Sequence, residues 1–185
     1  MTEQAQRTEL QCRAVLQSCR SLFEKKLHDY GTAWRILRPE SLTDQIYIKA
    51  ERIRSIQEKG QAQVNEGIDS ELIGIVNYGI IGMIQLSLGA VSHPDLKISE
   101  ALTLYDEYAE ATLQLMLAKN HDYGEVWRNM RLSSMIDIIL TKIYRTKQIE
   151  DNRGQTFVSE GIEANYMDMV NYALFCLVQL AENEQ

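Results

Sequence analysis

Cationic, acidic and amide side chains recur where an apolar pattern would otherwise run unbroken, and together they could hold a phosphorylated small molecule. Lys49 lies in a stripe of Leu42, Ile46, Ile53 and Ile56, and Lys142 in one of Met135, Ile139, Thr146 and Ile149. Desolvating an ammonium costs several kcal/mol unless an anion accompanies it. Either the lysine stem snorkels to the edge of its face, or the charge points inward to an anion. Arg52 and Arg145 follow one turn on in both places, which favours the inward reading: Lys49, Arg52, Lys142 and Arg145 would neutralise phosphate. Further along, Asn77 and Asn171 interrupt long apolar stretches, preceded by Glu71 with Gly74 in one case and Asn165 with Asp168 in the other. Superposed, these give Glu-x-x-Asp-x-x-Asn-Tyr with one acid kept each time. Residues three apart share a helix face, so Glu71 and Asp168 could hold a Mg²⁺ or orient water while the asparagines fix the geometry. The other account makes Asp168 the counter-ion of Lys142 or Arg145.

Aromatic and guanidinium groups form a second set. Tyr30 and Trp34 stand beside Arg35 and Arg38, and Tyr123 and Trp127 stand beside Arg128 and Arg131. The rings could stack on a base while the arginines hold phosphate. Alternatively, Tyr and Trp fasten a corner of the fold and the arginines pair with Asp29 and Asp122. His28 and His121 read as helix-end residues, and no serine, cysteine or histidine set points to nucleophilic catalysis. Asp106, Glu107 and Glu110 occur once only and read as solvated surface.

Both sets recur because the chain is duplicated. His28-Asp-Tyr-Gly31 returns as His121-Asp-Tyr-Gly124 (121 − 28 = 93), and past an inserted residue near Arg153 the offset becomes 94, as in Asn77 and Asn171 (171 − 77 = 94). Such a repeat constrains the whole fold. In each half the residues sit on three predicted helices. Helix A runs from Thr8 to Asp29 with Cys12, Leu16, Cys19, Phe23 and Leu27 on one face, a stripe repeated as Tyr105, Ala109, Thr112 and Met116. Gly31 and Gly124 close it in a left-handed conformation, making a structural corner. Helix B spans Ser41 to Lys59 and Ser134 to Asn152, with Ser41 and Ser134 as caps answered by Asp44 and Asp137. Helix C is apolar all round, hence enclosed, with Asn65-Glu66 or Ser159-Glu160 at its entry. Helix C of the first half, Leu72 to Val91, is long enough to span a bilayer, but Asn77, Gln85 and the Asp168 of its copy favour a helix buried in protein.

Bulk properties exclude some partners. The 185 residues carry a net charge of −7, with 19 basic against 26 acidic side chains, which argues against a duplex nucleic acid held by its phosphates. With 45% hydrophobic residues a core is assured. The cysteines Cys12, Cys19 and Cys176 have no metal spacing and no disulfide geometry along one helix, and the polar N-terminus has no apolar signal core. A reducing cytoplasm and no membrane association are expected.

The pattern Lys-x-His-Asp-Tyr-Gly-x-x-Trp-Arg, then Lys-x-x-Arg, then an acid followed by Asn-Tyr, resembles the all-helical nucleotide-modification-associated family, the first of the domains so named, in two copies covering essentially the whole chain. The resemblance implies a link to modified-nucleotide metabolism. A weaker likeness is to MazG-type all-α nucleoside triphosphate pyrophosphohydrolases, which hold Mg²⁺ with acids on two successive helices; this chain has Lys49-x-x-Arg52 where those acids would stand. The expectation is an all-α, six-helix domain of two three-helix units, residues 1–93 and 94–185, related by a pseudo-twofold axis. It would bind a nucleotide, with metal-dependent pyrophosphate hydrolysis as the reaction if it is an enzyme. The rival is a non-catalytic helical interaction protein with internal salt bridges, and a homo-oligomer is compatible with either.

Overall fold

A computed structural model describes residues 2–60 and 67–183. It is all-α, with six helices: α1 (Glu3–Tyr30), α2 (Pro39–Lys59), α3 (Ile68–Leu88), α4 (Ile98–Tyr123), α5 (Leu132–Asp151) and α6 (Ile162–Asn183). Short 3₁₀ turns, Ala33–Ile36 and Val126–Asn129, make the corners between α1 and α2 and between α4 and α5. The order A-corner-B-C therefore occurs twice, and the chain passes from one unit to the next through residues 89–97.

The A-helix stripes are buried as their spacing requires, from Cys12 to Leu27 on α1 and from Tyr105 to Met116 on α4. Gly31 (φ 63°) and Gly124 (φ 69°) close these helices with a backbone that a side chain would strain, and the Gly31 N–H donates to the Leu27 carbonyl at 2.8 Å. Other helix starts differ from expectation. α2 and α5 begin two residues earlier than Ser41 and Ser134, after Arg38 and Arg131, and no side chain caps either end. Pro39 supplies the start of α2, since its fixed φ suits a first turn whose N–H has no partner. Asp44 and Asp137 are not part of a cap. Asp44 pairs with Lys147 at 2.6 Å, and Asp137 with Arg54 at 3.8 Å. These are one ion pair seen from both sides of the axis (137 − 44 = 93, 147 − 54 = 93). At the entry to α6 the cap reading of Ser159-Glu160 also fails: the helix starts at Ile162, and Asn165 donates its side-chain amide back to the Gly161 carbonyl at 2.9 Å. Asn65 and Glu66 lie outside the described residues.

α3 and α6 form the centre, packed on each other and each covered by the B helix of its own unit. Their crossing is close because one side is small. A Cβ on Gly79 would lie 2.5 Å from Val170 Cγ2, and one on Gly82 would lie 2.9 Å from the Tyr166 ring. Tyr166 then reaches α2 of the other unit, where its hydroxyl donates to the Pro39 carbonyl at 3.0 Å and meets the Thr43 hydroxyl at 2.6 Å. Each unit thus closes the other. α3 is long and apolar enough to cross a membrane, yet most of it is buried inside this bundle.

The corners are held from the far ends of α3 and α6. Gln85 Nε2 donates to the carbonyls of Arg35 (2.9 Å) and Leu37 (2.6 Å), and Gln179 Nε2 donates to those of Trp127 (2.9 Å) and Met130 (3.1 Å). Replacing Gln179 with Met keeps the volume and leaves buried carbonyls without a donor. Urea unfolding is expected to show a loss of about 1–3 kcal/mol, and a larger loss for Gln85→Met, because Gln85 also accepts from Arg35.

Candidate functional site

Each unit contains its own pocket, bounded by the end of helix A, the corner, helix B and helix C. The first, about 430 Å³, is lined by Lys26, Tyr30, Trp34, Lys49, Glu71 and Asn77 among others. The second, about 470 Å³, is lined by the equivalents Lys119, Tyr123, Trp127, Lys142 and Asn171, with Asp168. The interior polar residues therefore do not converge on one composite site. Lys49 and Glu71 belong to one pocket, Lys142 and Asp168 to the other.

The lysines do point inward, each to an acid of the neighbouring helix C. In the first pocket Lys49 approaches Glu71 at 3.4 Å, and Arg52 holds the other oxygen of the same carboxylate. In the second, Asp168 receives Lys119 and Lys142 at 2.7 Å each, one on each oxygen. Burial alone would push the Asp168 carboxyl up, but the two lysines outweigh it and hold the group below the usual carboxylate range. Burial likewise disfavours the Lys119 charge, and Asp168 more than restores it. Gly74 stands where Asp168 stands (168 − 74 = 94), and the stem of Lys49 lies over it, filling the space a Cβ would take. Arg145 has lost the partner that Arg52 keeps, because Asn165 replaces Glu71; it is exposed on α5 and makes no ion pair among the described residues.

The corner arginines serve the fold. Arg35 is 2% exposed and is spent on Asp95 (2.8 and 3.3 Å), the Gly89 carbonyl (2.7 Å) and Gln85. Arg128 holds Glu125 (2.5 Å), Glu182 (3.1 Å), Thr8 and Gln11 (2.7 Å each). Neither guanidinium lines a pocket, and neither pairs with Asp29 or Asp122. Asp95 and Glu182 lie far along the chain from the arginines they hold, whereas Glu125 is only three residues from Arg128. The asparagines are also structural: Asn77 and Asn171 donate to the Cys19 and Thr112 carbonyls at 3.1 Å, pinning helix A to helix C. Asn77 Oδ1 accepts from the Tyr105 hydroxyl at 2.8 Å, whereas Asn171 Oδ1 has no partner. Asp106 and Glu110 sit at the surface, paired with Arg20 and Arg13.

Aromatic groups wall both pockets. Trp34 (8% exposed) and Trp127 (2%) are buried, and the indole N–H of each has no hydrogen-bond partner. Tyr30 (58%) and Tyr123 (75%) stand at the rims. The interiors differ in two rings, since Phe23 of the first pocket is answered by Met116 in the second and Phe175 of the second by Ile81 in the first. Phe175 lies flat against Trp127, centroids 4.4 Å apart and 7° between planes. At its equivalent position the first pocket has Ile81, and Trp34 meets only Phe23, tilted at 6.4 Å. Lys26 and Lys119, the lysines that open the Lys-x-His-Asp-Tyr-Gly motif, are pocket residues, and their equivalent positions in the repeat were the available signal.

No cysteine is among the described residues that line the two pockets. Cys12, Cys19 and Cys176 are free, buried thiols pushed up to about 12 by that burial. Among the described residues no three His, Cys, Asp or Glu side chains gather as a metal site.

The depressed Asp168 carboxyl contributes stability that is present above its unfolded pKa and lost as pH falls through its lower folded value. Asp168→Asn is therefore expected to cost about 1–3 kcal/mol at pH 7, with the gap from wild type narrowing between about pH 5 and pH 2. Urea midpoints at each pH check this; a gap independent of pH would show that the ion pairs do not form.

A family model described as nucleotide modification associated domain 1 matches residues 26–86 and, a second time, residues 119–180. No match was found among curated proteins or among solved structures. The two matched segments begin at the equivalent lysines, Lys26 and Lys119, and each runs through a corner, a B helix and most of a C helix, so each covers its pocket's lining apart from Leu22 and Phe23 in the first and Met116 in the second. The chain belongs to the nucleotide modification associated domain 1 family and carries that domain twice.

Proposed function

We propose that the protein binds a nucleotide or a closely related phosphorylated small molecule in the pocket enclosed by a single unit. One observation carries this reading: a cavity with a lysine pair, an aromatic wall and a buried indole N–H without a partner has been kept in both copies. Buried polar groups in folded proteins are almost always hydrogen-bonded, so an orphan indole N–H beside open space favours a ligand acceptor. The lysines would meet phosphate, Tyr30 and Trp34 would meet a base, and Asn77 would keep helix A and helix C at the right separation. The family description is in keeping with a nucleotide. Three unpaired buried thiols suit the reducing cytoplasm in which nucleotide metabolism runs.

A resident Mg²⁺ does not fit these residues. The first pocket offers one carboxylate, Glu71, and the second offers Asp168 and Glu160; Glu71 and Asp168 already face two cationic side chains each, and a hard dication needs several oxygen ligands. The acids that a MazG-type enzyme would place on helix B are Lys49 and Arg52, so the metal-dependent hydrolysis considered from sequence has no support in this geometry, and the function proposed is binding.

The saturation of those carboxylates favours one second reading, a helical interaction protein whose lysine-acid pairs are internal salt bridges. The two readings give different melting behaviour. A bound nucleotide at a hundredfold excess over its Kd is expected to stabilise the native state by about 2.7 kcal/mol, raising Tm equally with Mg²⁺ and with a chelator, and Lys49→Met is expected to abolish the rise. If no nucleoside mono-, di- or triphosphate moves Tm, binding fails and the scaffold reading stands.

A further inference from the structure

We infer that the second unit carries a built-in imitation of the ligand, so that only the first pocket is open to one, and that this ligand is a nucleoside monophosphate. The inference rests on the nucleotide reading above and sharpens it.

Two contacts in the second pocket are those a nucleotide would make. The Asp168 carboxylate bridges Lys119 and Lys142 at 2.7 Å each, as one phosphate would, and the Phe175 ring lies flat on Trp127, as a base would. Both side chains come from α6, seven residues apart (175 − 168 = 7), which is about 10.5 Å along a helix and nearly two full turns, so they share a face. At the equivalent positions the first unit has Gly74 and Ile81. The receiving groups are nevertheless retained. Lys26 lines the first pocket and has no hydrogen bond or ion pair among the described residues. Lys49 is 3.4 Å from a Glu71 that Arg52 also holds, so it can turn away without orphaning that acid. No ring stacks face to face on Trp34 among the described residues. The first pocket thus keeps two ammonium groups and an indole face while lacking the anion and the ring that satisfy their counterparts.

A ligand that supplies one anion and one planar ring at that separation completes the set. Longer phosphate chains fit less well, because the next group along α3 beyond Gly74 is Glu71 in its ion pair with Arg52, which offers a further phosphate no uncommitted cation. An aromatic base also suits the indole, with edge acceptors for its unpartnered N–H.

Exchange of the two pockets' distinguishing residue tests this. Gly74→Asp would place a carboxylate between Lys26 and Lys49, displacing only the flexible Lys49 stem. Isothermal titration with the ribo- and deoxyribonucleoside 5′-monophosphates, the matching nucleosides and inorganic phosphate is expected to give one site per wild-type chain for at least one monophosphate. The corresponding nucleoside and triphosphate should each bind at least about tenfold more weakly, since a lost charge-assisted contact is worth about that much. Gly74→Asp should weaken the monophosphate at least about tenfold while leaving the urea midpoint equal or higher. Lys26→Met, a change at an exposed position, should weaken it similarly and serves if Gly74→Asp fails to fold. Should nucleotides bind with two sites per chain, or bind both variants as tightly as wild type, the assignment to the first pocket is overturned while nucleotide binding stands. Tightest binding by a triphosphate overturns the monophosphate class. If nothing binds to wild type, the nucleotide reading itself fails and this inference falls with it.

Discussion

The corner of each unit depends on one glutamine amide. Gln85 and Gln179 sit near the C-terminal ends of the C helices and donate to backbone carbonyls of the 3₁₀ turns between helices A and B. A short turn leaves carbonyls that its own geometry cannot satisfy, and inside the bundle water does not reach them. The amide meets that need and also fixes where the corner lies relative to helix C. The orientation of Trp34 and Trp127, and hence the back wall of each pocket, follows from it. Asn77 and Asn171 act in the same way one level further in, tying helix A to helix C through backbone carbonyls. Polar side chains in this core thus set distances between elements, and the pockets are the spaces that those distances leave.

The duplication imposes a second constraint. A C helix apolar on all sides must be enclosed, and one three-helix unit cannot enclose it. Packing α3 against α6 solves this only if the helices can approach, which Gly79 and Gly82 on α3 permit and which Ala173 and Cys176 mirror on α6. With the centre so close, the B helices meet across the same axis, where Asp44–Lys147 and Asp137–Arg54 repeat one contact. The pockets face away from this axis. They are free to diverge without disturbing the centre.

Much of this was legible in the residues, and the rest failed for identifiable reasons. The helix faces followed from periodicity, and the closing glycines and the repeat itself from matched positions, because each depends on neighbours within a few residues. The inward course of Lys49 and Lys142 was legible too, since an ammonium in an apolar stripe must find an anion. What the chain did not disclose was partner choice over long separations. Residue order suggests Asp29 and Asp122, six residues back, as partners of Arg35 and Arg128, whereas the fold brings up Asp95 and Glu182, with Glu125 beside Arg128. Ser41 looked like a cap because its residue type suits one, but Pro39, two residues earlier, already starts the helix. Glu71 and Asp168 looked like halves of one site because superposing the copies merged them into one Glu-x-x-Asp pattern; superposition shows equivalent places, and equivalent places in a twofold arrangement stand apart unless they lie on the axis.

That distinction explains how the two pockets can share a lining and differ in state. A pair of half-buried lysines is unfavourable without an anion, and a protein can meet the need from its own chain or leave it to a ligand. In the second unit Asp168 meets it directly, and the depressed carboxyl pKa is the sign of how firmly. In the first unit the equivalent position is Gly74, and the need is met only in part: Lys49 leans to Glu71, which Arg52 already neutralises, and Lys26 is left to solvent. The same substitution pattern removes the ring that would cover Trp34. A carboxylate and a stacking ring are thus absent from two positions on one helix face while both receiving groups are retained, an arrangement that packing alone does not require.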